Sequence, residues 1–446
     1  MRAVGVSGRV ARDLELIRSD AFAESCRGRP PDFTRRRKMP CDLLVESVVA
    51  RKGRTLSLEV REFAREAHMA EPISVPGYTK ARWKLEPGAL LELARHHAAG
   101  VYSDGEYDTY RGMLLVAIDG STANVPTNPE TIALWGSSSS HGRDQATMGL
   151  SGAFDVVNRQ MIDLRINRGG FDERAQVPEH LEVILSSTAG ARVALVLDRG
   201  YPSFLLMATL ADMGVPYVMR CQHNFMNAEF RSCEGAGGDL ELDLELSYPR
   251  LQAVRRSDPE AWTYLMAHEP LRVRCVLVDV GGEAPEKLVT TIGAGELAAS
   301  DLAEVYHMRW GVETCFEFMK DRLQMENFTG TGARLIEQDV YATAYLVNVA
   351  FDLANEAERE AAGDIAARGY KHAMAVNRTV AIGVLKEELM RLVTAPDDES
   401  REAMMADIVS ELGRCLVPVR PARAYSRDGL KQNYANRYSN THKRAF

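Results

Sequence analysis

Two aspartates sit where side chains would leave a buried sheet. Asp119 closes the apolar run Met113–Ile118, and Asp198 closes the run Val193–Leu197. Short unbroken apolar runs of this kind read as buried strands. On an open α/β sheet, ligand sites collect at strand ends. Taken singly, an aspartate after a strand is more often a turn or helix-cap residue. A third acid sharpens the pattern. Arg309, Glu313 and Lys320 follow Tyr306 at offsets of 3, 7 and 14 residues. At about 100° per residue, all four fall within about 60° on one helix face. The neighbouring stripe Val305, Met308, Val312, Cys315 and Met319 is apolar and predicts a helix buried against a sheet. Carboxylates brought together bind hard divalent cations, and a pair of such cations supports in-line displacement at phosphorus. Arginine and lysine on the same face suit a phosphate backbone. The plainer alternative is an Arg309–Glu313 ion pair on a solvated face.

The surrounding pattern predicts the elements that would carry these residues. Residues 39–100 read as helices, and Tyr78–Leu85, with Lys80, Arg82, Trp83 and Lys84, suits the second helix of a helix-turn-helix. Pro76-Gly77 interrupts the start of that segment. Met148–Val157 and Gln160–Ile166 flank Asn158-Arg159 as a hairpin. Glu179–Leu185 and Ser203–Met213 read as helices, and Val215–Met219 as a further strand. The order β-β-β-α-β-α-β is that of a ribonuclease-H-like core. Alternating segments at Leu240–Leu246, Val273–Val280 and Lys287–Ile292 predict a β-rich insertion. Helical patterns return at 301–323, 337–358 and 378–393. The expected class is α/β, a mixed sheet core with a helical N-terminal domain and a helical C-terminal region. The expected division is a helical N-terminal DNA-binding region at 1–105, core at 106–221, insertion at 222–295, core again at 296–375, and helices with a basic tail at 376–446.

Composition narrows the function classes. The 446 residues are 46% apolar, enough to bury a core throughout. No stretch reaches the roughly 18 consecutive apolar residues of a membrane span, and the N-terminus lacks an apolar signal region. Seven widely spaced cysteines without a CxxC argue against both a disulfide framework and structural zinc. Ten histidines form no metal-ligand cluster, and the Gly-rich stretch 233–239 lacks the ending of a P-loop. The net charge of −8 divides unevenly: residues 1–60 carry +5, residues 414–446 carry +7, and the middle carries −20. Basic ends suit phosphates, and an acidic centre suits divalent cations. Tyr425, Tyr434 and Tyr438 are interspersed in the basic tail.

The spacing Tyr306-x2-Arg309-x3-Glu313-x6-Lys320 has the YREK form of IS4-type DDE transposases, and the sequence around it resembles that family's third-acid region. "AIDGSTANVPTNPET" around Asp119 and "VLDRGYPS" around Asp198 resemble the first- and second-acid blocks. The likeness covers about residues 32–395. It implies a ribonuclease-H-like catalytic core in which Asp119, Asp198 and Glu313 hold two Mg²⁺ ions, with Mn²⁺ able to substitute. It also implies a β-rich insertion, binding of terminal inverted repeats in double-stranded DNA, and cut-and-paste transposition through a hairpin by a homodimer. Tyr306, Arg309 and Lys320 would contact the DNA backbone. Trp262, the insertion's one tryptophan, would trap a flipped base, although a core tryptophan is the more ordinary reading. The implied setting is the bacterial cytoplasm, at the nucleoid when DNA is bound. Two rivals remain: another ribonuclease-H-like nuclease such as a resolvase, and a domesticated or inactive transposase acting as a DNA-binding protein.

Overall fold

The structure is a computed structural model that describes residues 5–35, 38–140, 143–279 and 284–419. The tail bearing Tyr425, Tyr434 and Tyr438 lies outside the described residues. Six helices come first: α1 (Gly5–Ile17), α2 (Asp20–Ser25), α3 (Cys41–Val49), α4 (Leu56–Glu66), α5 (Val75–Arg82) and α6 (Pro87–Ser103). Ser74 caps α5, and Pro76 lies in its first turn, where a missing N–H costs nothing. The Pro76-Gly77 pair therefore starts the helix and does not interrupt it. Arg82 departs from the expected basic face. Its guanidinium is 1% exposed and donates to Gln338 Oε1 at 2.8 Å and Asp339 Oδ1 at 2.6 Å. A buried guanidinium needs such partners, so Arg82 pins α5 to the core. Lys80 stays exposed.

The core follows: β1 (Leu114–Asn124), α7 (Pro129–Trp135), β2 (Ser137–Ser140), β3 (Arg143–Asp155), β4 (Gln160–Arg168), α8 (Val177–Ser187), β5 (Val193–Leu197), α9 (Phe204–Asp212) and β6 (Tyr217–Arg220). The β3–β4 hairpin turns at the expected place, with Arg159 at φ 59°. β1 runs antiparallel to β3 and parallel to β5, and β5 is parallel to β6. With the short β2 set aside, this is the expected three antiparallel strands followed by two parallel ones. The protein is a mixed α/β molecule with a ribonuclease-H-like core.

The segment after β6 carries α10 (Asn227–Gly235), β7 (Asp239–Leu244), α11 (Gln252–Ser257), α12 (Pro259–Ala267), β8 (Leu271–Val278) and β9 (Glu286–Thr290). Its strands do not stand apart. β9 pairs with β6 and then β8 with β7, giving the order β2-β3-β1-β5-β6-β9-β8-β7 with β4 on β3. The segment expected as an insertion thus widens the central sheet, with α10 packed against β7 and β8 and α12 against α9.

The expected helix at 301–323 is divided into α13 (Ala299–Met308), α14 (Trp310–Glu317) and a π-helical turn, Phe318–Arg322. Next comes α15 (Ala333–Arg368), 36 residues long, followed by α16 (Arg378–Val393) and α17 (Asp398–Leu412). At 1.5 Å per residue α15 spans about 54 Å. It packs against α1, α3, α6, β4, α16 and α17. Among the described residues, no helix is long and apolar enough to cross a membrane.

Candidate active site

Asp119 is not at the end of its strand. β1 continues to Asn124 because β3 supplies antiparallel partners, from Val116↔Asp155 to Asn124↔Thr147. Its parallel pairing with β5 ends earlier, at Ala117↔Val196. Two residues further along each strand stand Asp119 and Asp198, level with one another at the carboxyl edge of β5. Period-two alternation puts Asp119 and Ser121 on one face of β1, the face that α14 covers.

The segment from Tyr306 to Lys320 meets that face. The Tyr306 hydroxyl donates to Asp198 Oδ1 at 2.8 Å. Arg309, at the junction of α13 and α14, donates to Asp119 Oδ2 at 3.1 Å and to Glu313 Oε1 at 2.7 Å. Lys320 Nζ donates to Ser121 Oγ at 2.7 Å. The Arg309–Glu313 pair exists, but not on a solvated face: Arg309 is 2% exposed and bridges to the sheet. The apolar stripe seats the helices, with Val305, Val312, Cys315 and Met319 buried.

The charges in this group do not cancel. Burial pushes the Asp119 carboxyl up to about 7, against the pull of Arg309 and the Gly120 N–H, and Glu173 and Glu313 add to the rise. Burial would also raise Asp198, yet the Arg199 N–H, Arg309, Tyr306 and Arg220 hold it below the usual carboxylate range. Burial, with Asp198 beside it, pushes Tyr306 up to about 12. Burial lowers Lys320. Arg309 Nε is buried and has no hydrogen-bond partner.

A family profile described as "Transposase DDE domain" matches residues 110–349, a span holding Asp119, Asp198 and Glu313. The chain belongs to this DDE transposase family. None of the curated proteins matches the sequence. Among solved structures, a piggyBac transposase in a synaptic complex with hairpin DNA matches at TM-score 0.45 and 10% identity, over 96% of this chain and 89% of that chain.

The transposase adds a fourth acid that the sequence motifs passed over. Glu173 follows β4 in a short 3-10 turn and accepts from the Tyr201 hydroxyl at 3.0 Å. Its carboxylate lies over Gly120, where a Cβ would meet Glu173 Oε1 at 2.2 Å. Glycine beside Asp119 is what admits Glu173. Ser121 and Arg220 were also missed. Ser121 and Tyr201 stand inside the blocks around Asp119 and Asp198, a local signal for both; Glu173 has none, since only the fold brings it near. Trp262 is not drawn into this group. It packs at the insertion's edge against Tyr248, with ring centroids 6.5 Å apart, and under Arg255.

The donor set suits a hard divalent cation: carboxylate oxygens, with Arg309 beside Asp119 and Glu313 and Arg220 beside Asp198. As placed, no three such side chains among the described residues stand close enough to hold one ion. Arg309 lies between Asp119 and Glu313.

Proposed function

We propose that the transposase cleaves and rejoins DNA phosphodiesters at the ends of its own element. Asp119, Asp198 and Glu313 would hold two divalent cations, Mg²⁺ with Mn²⁺ able to substitute. The observation that carries this reading is the convergence of two strand acids and one helix acid around a single buried guanidinium. In such sites divalent cations neutralise charge at phosphorus and activate the attacking oxygen.

The chain's own residues prepare that chemistry. The Gly120 N–H donates to Asp119 Oδ1 at 2.9 Å, leaving Oδ2 toward Arg309. Tyr306 fixes the Oδ1 oxygen of Asp198. Arg309 supplies the positive charge that keeps the acids together. α14 carries Glu313 into the same space while Val312 and Cys315 anchor the helix in the core. The family resemblance extends the reading to terminal inverted repeats bound as double-stranded DNA, a homodimer holding two ends, and a hairpin step. The N-terminal helices would do the base-specific reading.

The test is cleavage of a duplex carrying the flanks of the protein's own gene, with Mg²⁺ or Mn²⁺, comparing wild type with Glu313→Gln. Cuts at defined positions, abolished in the variant while binding persists, are the expected result. Cleavage retained by Glu313→Gln would remove that residue from the mechanism. Binding without cleavage by the wild type would favour a domesticated DNA-binding protein.

A further inference from the structure

The residues expected to clamp DNA are turned inward. Tyr306 is 5% exposed and Arg309 2% exposed, and both are engaged by the acids. Lys320 is committed to Ser121. A DNA strand carries a negative charge at every phosphate, and its affinity comes largely from cations that meet them. A strand running past the acids is therefore served by further cations beside them.

Beside Asp198 a cleft of about 610 Å³ is lined by Arg199, Arg220, Gln222, His223, Glu286 and Lys287, among others. The topology builds it. Arg199 follows Asp198 at the carboxyl end of β5, Arg220 ends β6, and Lys287 enters on antiparallel β9, where the Cys221 N–H donates to Lys287 O at 2.8 Å. Ligands of open α/β sheets bind outside the carboxyl ends of parallel strands. The Arg220 guanidinium is held by Glu286 at 2.6 Å from both oxygens, and its Nη1 lies 3.9 Å from Asp198 Oδ1. Lys287 Nζ donates to His223 O at 3.0 Å and Asn227 Oδ1 at 3.1 Å. Arg199 is exposed and forms no ion pair with a described side chain. Among the described lining residues Arg199, Arg220 and Lys287 stand with the single acid Glu286, and Asp198 lies at the margin, in a chain whose middle carries −20. Such a concentration of cations serves an anion.

We propose that this cleft seats the phosphate backbone of the DNA strand running past the cut, with Arg199 and Lys287 each meeting a phosphate. The proposal rests on the reading of Asp119, Asp198 and Glu313 as a DNA-cutting site. Its test is a salt titration of binding to a duplex carrying the gene's own flanks, measured in the Glu313→Gln background so that the DNA stays intact. Arg199→Ala and the double variant Arg199→Ala/Lys287→Ala are compared with Arg272→Ala, an exposed cation on β8. Each lost phosphate contact flattens the slope of log affinity against log salt by about one. The expected result is a slope reduced by about one and about two, with weaker binding to every sequence and no change for Arg272→Ala. Because Lys287 also holds the α10 end, the exposed Arg199→Ala decides alone if the double variant misfolds. An unchanged slope and affinity for Arg199→Ala overturns the cleft as a strand seat while leaving the acids' reading intact. A parent protein that binds no DNA overturns both.

Discussion

Among the helices, Asp339 accepts from Arg82 at 2.6 Å and from the Thr329 N–H and hydroxyl at 2.8 Å each, and pairs with Arg51 at 2.9 Å. At the sheet's rim, Asp119 has Arg309 at 3.1 Å and one N–H, with Glu173 and Glu313 close by. Both clusters are built from arginine and carboxylate. Asp339 sits below the usual carboxylate range although burial opposes it, whereas burial wins at Asp119 and pushes it up. A second helix cluster repeats the first: Asp352 takes two bonds from Arg9, at 2.7 and 2.8 Å, and is also lowered. These helix clusters are closed, with Asp339 and Asp352 each given donors against their burial. The rim cluster is left short of positive charge, as a site awaiting one would be.

Geometry without access teaches the same. Ser151 Oγ lies 2.9 Å from His180 Nε2, and His180 Nδ1 lies 2.7 Å from Asp163 Oδ2. These are the contacts of a nucleophilic triad. Yet Ser151 and His180 are 0% exposed and Asp163 1%, so no substrate reaches them.

The contrast can be broken by substitution. Asp339→Ala should have the largest stability effect, about 3–5 kcal/mol, because it leaves the buried Arg82 without its counter-charge. Urea unfolding would show it, and a loss under 1 kcal/mol would mean that Asp339 is not the keystone described. Asp119→Asn should act in the opposite sense. The folded state keeps a proton that the unfolded chain loses, so Asp119 lowers wild-type stability as pH rises from 3.8 to about 7. Thermal melts across that window should converge or cross for wild type and Asp119→Asn, with the variant favoured at the upper end. A wild type that gains on the variant as pH rises would place Asp119 with the closed clusters. Gly120→Ala should displace Glu173 and reduce cleavage by about tenfold, the size of an outer-shell disturbance. Adding Glu173→Ala should relieve the clash, and no relief would argue that Gly120 matters for another reason. The smallest effect is expected of Trp262→Phe, which keeps an aromatic ring against Tyr248. Overall cleavage should hold, and selective loss of hairpin products would restore the base-trapping role.

Much of the site was legible because it is local. Asp198 follows an unbroken apolar run, and the Tyr306–Lys320 spacing survives the break at Arg309 because α13 and α14 continue along the same face of the sheet. Asp119 was found for an incomplete reason: Gly120 and the polar Ser121 and Thr122 hide a strand that pairing with β3 sustains. Arg82 misled because a cation on an amphipathic stretch looks solvated until its partner, 257 residues away, is in place. Glu173 needed the same long-range information. The inserted segment's strands were legible by alternation, but their merger with β6 is set by tertiary pairing.

The long helix α15 carries Asp339 for Arg82, Asn348 for the backbone of Met161 on β4, and Asp352 for Arg9. One rod thus keys helices before residue 105 and the central sheet to the same axis. Such a chain is expected to unfold as a single cooperative piece. A cut between α6 and β1 would not release two self-sufficient halves: α15 would stay with the sheet, and the helices before it would lose the acids that pin Arg9 and Arg82.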